Sequence, residues 1–159
     1  MIYSKTCEYA IRALVYLAQK NTKQLTMLPE ISEASGVPGP YVAKIFRDLV
    51  RQEILESRKG PRGGFRFKKD PAKVSLKQII NSVDDGQRMD VCVMGLDECS
   101  SANACPLHAV WTDARNKITT ILENETLCSV KKKVSKKTFR AVQRMLLNSN
   151  MCSVVGGIV

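Results

Sequence analysis

Apolar positions recur at helical spacing from Ser4 to Lys20, where Tyr9, Ala10, Ala13, Leu14, Leu17 and Ala18 form one face and Ile11 and Val15 widen it. A second, shorter helix is predicted from about Leu28 to Ser35, with Pro29 in its first turn and Gly36 where the chain must turn. A third starts at Gly39-Pro40. Its apolar positions Val42, Ile45, Phe46, Leu49 and Val50 follow i, i+3, i+4, i+7, i+8, and its other face carries Lys44, Arg47, Arg51 and the polar end of Tyr41. The chain then reads as strand, turn, strand: Ile54 to Arg58, the glycine-rich Lys59-Gly60-Pro61-Arg62-Gly63-Gly64, and Phe65 to Lys69.

Beyond the hairpin, Ser75 to Val83 reads as a short helix with Ser75 as N-cap, ended by Asp84-Asp85-Gly86. Residues 86–105 hold only Met89, Val91, Val93, Met94 and Leu96 as large apolar side chains. Such a loop cannot bury enough area to order itself, so something else must hold it, and metal ligation is a candidate. Pro106 is expected to open a long helix to about Glu125, striped by Leu107, Val110, Trp111, Ala114, Ile118, Ile121 and Leu122. A seam of that length is suited to a helix–helix contact, and a homodimer interface is its natural use. Lys131 to Asn148 forms a candidate last helix, with Phe139, Val142, Met145 and Leu146 apolar, but its charge points to a solvated tail. The expected fold is mainly α with a small β-hairpin wing: a winged helix-turn-helix plus a long dimerisation helix. The divisions are 1–85 for the DNA-binding region, 86–105 for a ligand loop, 106–125 for the dimerisation helix and 126–159 for a basic tail.

Composition sharpens this picture in two ways. A hydrophobic fraction of 44% supplies an ordinary core. No apolar run approaches the roughly 18 residues of a membrane span, and Lys5, Glu8 and Arg12 interrupt any signal-peptide pattern, so a cytoplasmic protein with reduced thiols is expected. The net charge of +10 is unevenly spread: residues 1–70 hold 13 Lys/Arg against 7 Asp/Glu, residues 71–125 hold 5 against 8, and residues 126–159 hold 7 against none. Two short helices joined by a glycine turn, the second basic, followed by a hairpin whose residues 58–69 carry six basic and no acidic side chains, form the pattern of a helix-turn-helix with a wing. Its expected partner is a double-stranded DNA operator, since Lys/Arg contacts to phosphate displace counterions. The assigned contacts are Pro40, Tyr41, Lys44 and Arg47 on the third helix and Arg58, Lys59, Arg62 and Arg66 on the wing. Dimers suit such readers because two-fold symmetry matches two half-sites. The glycine turn could cradle a phosphate, but no Gly-Lys-Ser/Thr follows it to hold a nucleotide. A single histidine and no nucleophile–base pairing leave an enzyme unexpected.

Cys92, Cys99, Cys105 and His108, the sole histidine, lie within one short segment spaced Cys-x6-Cys-x5-Cys-x2-His. Thiolates and imidazole are ligands for soft and borderline metals. Zinc fingers and ribbons use close Cys-x2–4-Cys pairs, which are absent here, so a zinc ribbon is disfavoured. An iron–sulfur cluster accepts wider spacing, and histidine in place of one thiolate raises the potential of a 2Fe–2S centre. The imidazole can also be protonated, which suits a labile, sensing cluster. A 2Fe–2S cluster is thus favoured over 4Fe–4S. The alternative is a zinc- or thiol-redox-dependent DNA-binding module without a cluster. Cys7, Cys128 and Cys152 lie outside the segment, and Cys128 and Cys152 read as small apolar side chains.

Taken together, these motifs resemble the Rrf-two family of winged-helix transcriptional regulators, most closely its IscR-like branch and next its NsrR-like branch. The resemblance covers about residues 1–130 and rests on Cys7 to Leu14, on Val37-Pro38-Gly39-Pro40-Tyr41 through Leu49, on the wing Lys59 to Phe65, on Val74-Ser75-Leu76, and on the three-cysteine loop with Cys105-Pro-Leu-His108-Ala-Val-Trp111. It implies a homodimeric, cluster-dependent regulator, in the main a repressor, that responds to cluster, redox or nitric oxide status, with oxygen a further candidate signal. It also implies that His108, or else Glu8 from the partner subunit, is the fourth cluster ligand. Two positions depart from the IscR-like pattern. Lys59 stands where such wings place an arginine before Gly-Pro, and Ala43 stands where a glutamate tunes site choice.

Overall fold

The structure is a computed structural model that describes residues 3–20, 23–84, 91–102 and 104–133. Helices α1 (Lys5–Gln19), α2 (Leu28–Ser35) and α3 (Gly39–Arg51) lead into a hairpin of β1 (Leu55–Arg58) and β2 (Gly64–Phe67). A 3-10 turn (Pro71–Lys73), α4 (Leu76–Asp84), α5 (His108–Asn124) and α6 (Leu127–Lys133) follow. The described chain is therefore mainly α with a two-stranded antiparallel wing, in the register Leu55↔Phe67 to Arg58↔Gly64.

Each element follows from local chemistry. Ser4 caps α1 by accepting the Cys7 N–H at 3.2 Å, and its own N–H and hydroxyl both donate to the Asp84 carboxylate at the end of α4. Gly36 ends α2 in the left-handed region (φ 66°), closing the tight turn into α3. The i, i+3, i+4 pattern of α3 buries Val42, Ile45, Phe46 and Leu49. These side chains pack with Ala10, Leu14, Leu17, Ile31, Ile54, Leu55, Val74, Ile79 and Leu127 in one core. Each large aliphatic or aromatic group taken fully from water there contributes about 1.5–3 kcal/mol. A smaller cluster of Cys7, Ile80 and Leu122, flanked by Tyr3 and Ile118, joins α1, α4 and α5.

Two expectations differ from the structure. The long helix begins at His108 rather than Pro106, because the Cys105 carbonyl accepts the His108 N–H at 2.9 Å and holds Pro106-Leu107 in a turn. The start of the C-terminal segment is packed as far as Lys131, while Lys132 and Lys133 are exposed as expected of a charged tail. The Thr126 and Ser129 side chains cap each other's N–H groups (3.2 and 2.9 Å), Leu127 is fully buried, and the Lys131 ammonium donates to the Ala18 carbonyl at 2.6 Å. The rest of the expected last helix, with Phe139, Val142, Met145 and Leu146, lies outside the described residues, as does Cys152.

Candidate nucleic-acid interface and metal centre

Burying one face of α3 turns the other outward. Pro40, Tyr41, Lys44 and Arg47 are all exposed. On the wing, Arg58, Lys59 and Arg62 are exposed, and none has a carboxylate in ion-pair reach among the described residues. A groove of about 500 Å³ runs between the start of α2, α3 and the wing, lined among others by Met27, Ala43, Arg47, Arg58 and Lys59. The structure thus brings Arg47, Arg58 and Lys59 to one concavity, while Arg62 lies outside its lining. Arg66 is placed differently. Directly opposite Glu56 across the hairpin, it pairs with that carboxylate and donates to the Lys23 carbonyl at 2.9 Å. Lys68 is likewise tied to Glu53 at 2.6 Å.

The wing is held in place by backbone. Thr26 and Phe65 exchange N–H···O bonds, both 2.9 Å, which docks β2 on the segment before α2. The approach is so close that a Cβ at Gly64 (φ 150°) would sit 2.4 Å from the Thr26 carbonyl oxygen. The edge-on pair Phe46–Phe65 (centroids 5.1 Å) adds a side-chain contact between α3 and the wing.

The ligand loop approaches the start of α5. Cys92 and Cys105 are buried with their sulfurs 3.8 Å apart, and the half-buried Cys99 places its sulfur 3.6 Å from His108 Nδ1. The four candidate ligands therefore stand as two pairs. Among the described residues no group of three or more His, Cys, Asp or Glu converges as for a single ion. The backbone of Leu96 and then of Met94 holds the Cys92 thiol below its ordinary range; burial opposes them, and the Cys105 thiol and the Gly95 backbone add smaller lowering effects. The turn behind them is closed by the Gly95 N–H on the Cys92 carbonyl at 3.0 Å, with Gly95 at φ 77°. A thiol held below its ordinary range is more readily a thiolate, the form that binds a metal. The Trp111 indole N–H donates to the Val91 carbonyl at 3.1 Å and ties the loop to α5. Sequence alone placed Trp111 only in an apolar stripe and gave no sign of this tether.

Glu8 lies elsewhere on α1. Its carboxylate contacts the Arg12 guanidinium and, at 3.1 Å, the Lys5 ammonium. Burial alone would raise its pKa, but the hydrogen bonds from Lys5 and Arg12 outweigh it and leave the group below the ordinary carboxylate range. Cys7, fully buried with its thiol 3.9 Å from the Ile80 carbonyl, is a packing residue. Burial, and next the neighbouring Asp84, push its pKa up to about 12. Cys128 is half-buried on α6.

Comparison with known proteins identifies the kind of protein this fold belongs to. A protein of Aquifex aeolicus named as an HTH-type transcriptional regulator is 33% identical over 129 residues, 80% of this chain and 89% of that protein. The HTH-type transcriptional regulator IscR of Vibrio vulnificus is 31% identical over 119 residues, 75% of this chain and 70% of that protein. Among solved structures, CymR, the global cysteine regulator of B. subtilis, shares the fold at 20% identity with a TM-score of 0.69, covering 83% of this chain and 97% of that one. The IscR of T. potens does so at 21% identity and a TM-score of 0.66, covering 84% and 88%. These relatives and this fold are those of DNA-binding transcriptional regulators, not enzymes. The family described as Rrf2, iron-dependent transcriptional regulator, matches residues 3–133, and the chain belongs to it.

Proposed function

We propose that this DNA-binding regulator is a homodimer whose operator affinity or site choice depends on a 2Fe–2S cluster held by Cys92, Cys99, Cys105 and His108. The carrying observation is the pairwise placement of the ligands. Two sulfurs 3.8 Å apart match the edge of a tetrahedron around one metal with metal–sulfur bonds of about 2.3 Å. The Cys99–His108 pair, at 3.6 Å, has the edge expected for one thiolate and one imidazole. Two such pairs suit two metal ions with two protein ligands each, the requirement of a 2Fe–2S centre. His108 is the better fourth ligand, because Glu8 already answers two cations on its own helix and leaving them would strand the buried Arg12 charge.

When bound, such a cluster supplies a centre that reacts with oxidants and nitric oxide. The chain's own residues do the rest. Ligation through all four side chains draws the segment from Cys92 to Cys105 onto the first turn of α5, and the Trp111–Val91 bond secures the base of that loop. Leu107 just before α5, and Val110 and Ile121 on it, are 47%, 72% and 59% exposed. That is costly for a lone helix and fits a second copy of the chain, whose two reading helices would then meet two half-sites. Repression follows where the operator overlaps a promoter.

The test is anaerobic purification with metal analysis, visible absorption and Mössbauer spectra. DNA binding is then compared among loaded protein, cluster-free protein and the Cys92/Cys99/Cys105→Ala triple variant. A brown protein whose loaded and empty forms bind DNA differently supports the proposal. Equal affinity and equal site choice in all three sink it, and colourless protein with stoichiometric zinc favours the zinc- or thiol-dependent reading.

A further inference from the structure

One contact between α1 and α3 lies outside the core and outside the ligand loop. Tyr9, packed on the edge of the core, meets Tyr41 edge-on, with ring centroids 5.5 Å apart and planes at 69°. Tyr41 itself is not a core residue. It is 51% exposed in the first turn of α3, on the outward part of that helix. Around Tyr9, one helical face gathers three charged groups. The Lys5 ammonium and the Arg12 guanidinium lie 5.8 and 5.5 Å from the Tyr9 ring centre, and Glu8 contacts both. Arg12 is nine-tenths buried, so this charge is held rather than solvated.

An exposed tyrosine at a helix start is free to exchange rotamers, and ordering it on DNA costs entropy. A ring already seated against a fixed neighbour has less to lose. We propose that Tyr9 is a positioning residue for DNA reading: its ring seats Tyr41 at the start of α3, and the Lys5–Glu8–Arg12 group seats Tyr9. The inference rests on the outward face of α3 as the DNA-facing surface and does not depend on the cluster. It assigns a specificity role to the first two turns of α1.

The test uses full-length protein and duplexes that the wild type selects from a random-sequence pool, with the unselected pool as control. Affinities are measured for wild type, Tyr9→Phe, Tyr9→Leu, Tyr41→Ala and the Tyr9→Leu/Tyr41→Ala double variant. Tyr9→Leu should lower affinity for selected duplexes by about two- to tenfold and leave the unselected pool unchanged. Tyr9→Phe, which keeps the ring, should retain the wild-type preference. In the Tyr41→Ala background Tyr9→Leu should cost nothing more, because a positioning residue without its client is idle. Additive losses, or equal losses on both pools, overturn the proposal. Lys5→Ala changes an exposed side chain and serves where Tyr9→Leu lowers the melting temperature. It should give a smaller loss, also absent in the Tyr41→Ala background, and a loss undiminished there would count against the relay. Repeating the cycle with loaded and cluster-free protein separates the two readings. Identical DNA binding by both forms removes the cluster mechanism and leaves the Tyr9–Tyr41 coupling standing or falling alone.

Discussion

Replacing Gly64 by alanine probes how the wing is aimed. The new Cβ would meet the Thr26 carbonyl oxygen at 2.4 Å and its carbon at 2.7 Å, whereas real Cβ contacts stay above 3.0 Å. Both partners are backbone, so relief requires strand and segment to separate by at least about 0.6 Å, which stretches both 2.9 Å bonds between Thr26 and Phe65 towards 3.5 Å, the edge of hydrogen bonding. Two weakened bonds at about 1 kcal/mol each, with about 1–2 kcal/mol for alanine at φ 150°, give a destabilisation of roughly 3–4 kcal/mol. Gly60 is the control: its φ is 109°, but a Cβ there meets nothing within 4 Å, so Gly60→Ala bears the conformational penalty alone. Urea unfolding of both variants reads the difference. DNA affinity should fall further for Gly64→Ala, since Arg58 and Arg62 are re-aimed along with the strand. If Gly64→Ala unfolds at the same urea concentration as Gly60→Ala and binds DNA equally well, the wing is not docked through Thr26.

Arg58→Ala and Arg62→Ala should each weaken DNA binding and reduce the salt slope by roughly one unit for every phosphate no longer neutralised. Arg66→Ala, whose guanidinium is already engaged by Glu56 and the Lys23 carbonyl, should leave that slope nearly unchanged; titrations over a range of salt concentrations distinguish them. In cluster-free folded protein at about pH 8, iodoacetamide should label Cys99 ahead of the buried Cys92 and Cys105 and leave Cys7 unlabelled, its thiol being buried and neutral up to about pH 12; peptide mass spectra that find Cys7 labelled as fast as Cys99 would contradict its core position. Leu127→Ala removes a fully buried side chain and should cost about 2–5 kcal/mol, so a melting temperature unchanged from wild type would show that α6 is not part of the core. Trp111→Phe keeps an aromatic ring but deletes the donor to Val91, and should weaken metal retention against a chelator while leaving the DNA-free melting temperature of the metal-free protein within a few degrees.

The first three helices and the hairpin were legible because their signals are local: apolar period, Pro29 and Pro40 in first turns, Gly36 after α2, and glycines in the wing turn. Where expectation and structure part, a longer-range or backbone contact decided. Pro106 is a good opening residue, yet the bond from His108 N–H to the Cys105 carbonyl takes Pro106-Leu107 into the preceding turn. The start of α6 rests on a reciprocal Thr126–Ser129 cap and on burial of Leu127 against distant elements, neither of which shows in a charge-rich stretch. The ligand types in the cysteine segment were plain, but their division into Cys92–Cys105 and Cys99–His108 depends on the loop's path. Arg66 looked like its basic neighbours until the strand register set Glu56 across from it.

The packing of α6 on α1 also governs the order in which the chain matures. Lys131 reaches Ala18 across 113 residues, and Leu127 fills the core beside Leu14 and Ile79. During synthesis the residues that complete this core emerge after Cys92, Cys99, Cys105 and His108. A nascent chain therefore exposes that cysteine segment while its core is still open, and the long-range closure that finishes the fold comes last. Closure of the core beneath the DNA-reading helix is thereby made the last step of folding by the direction of translation itself.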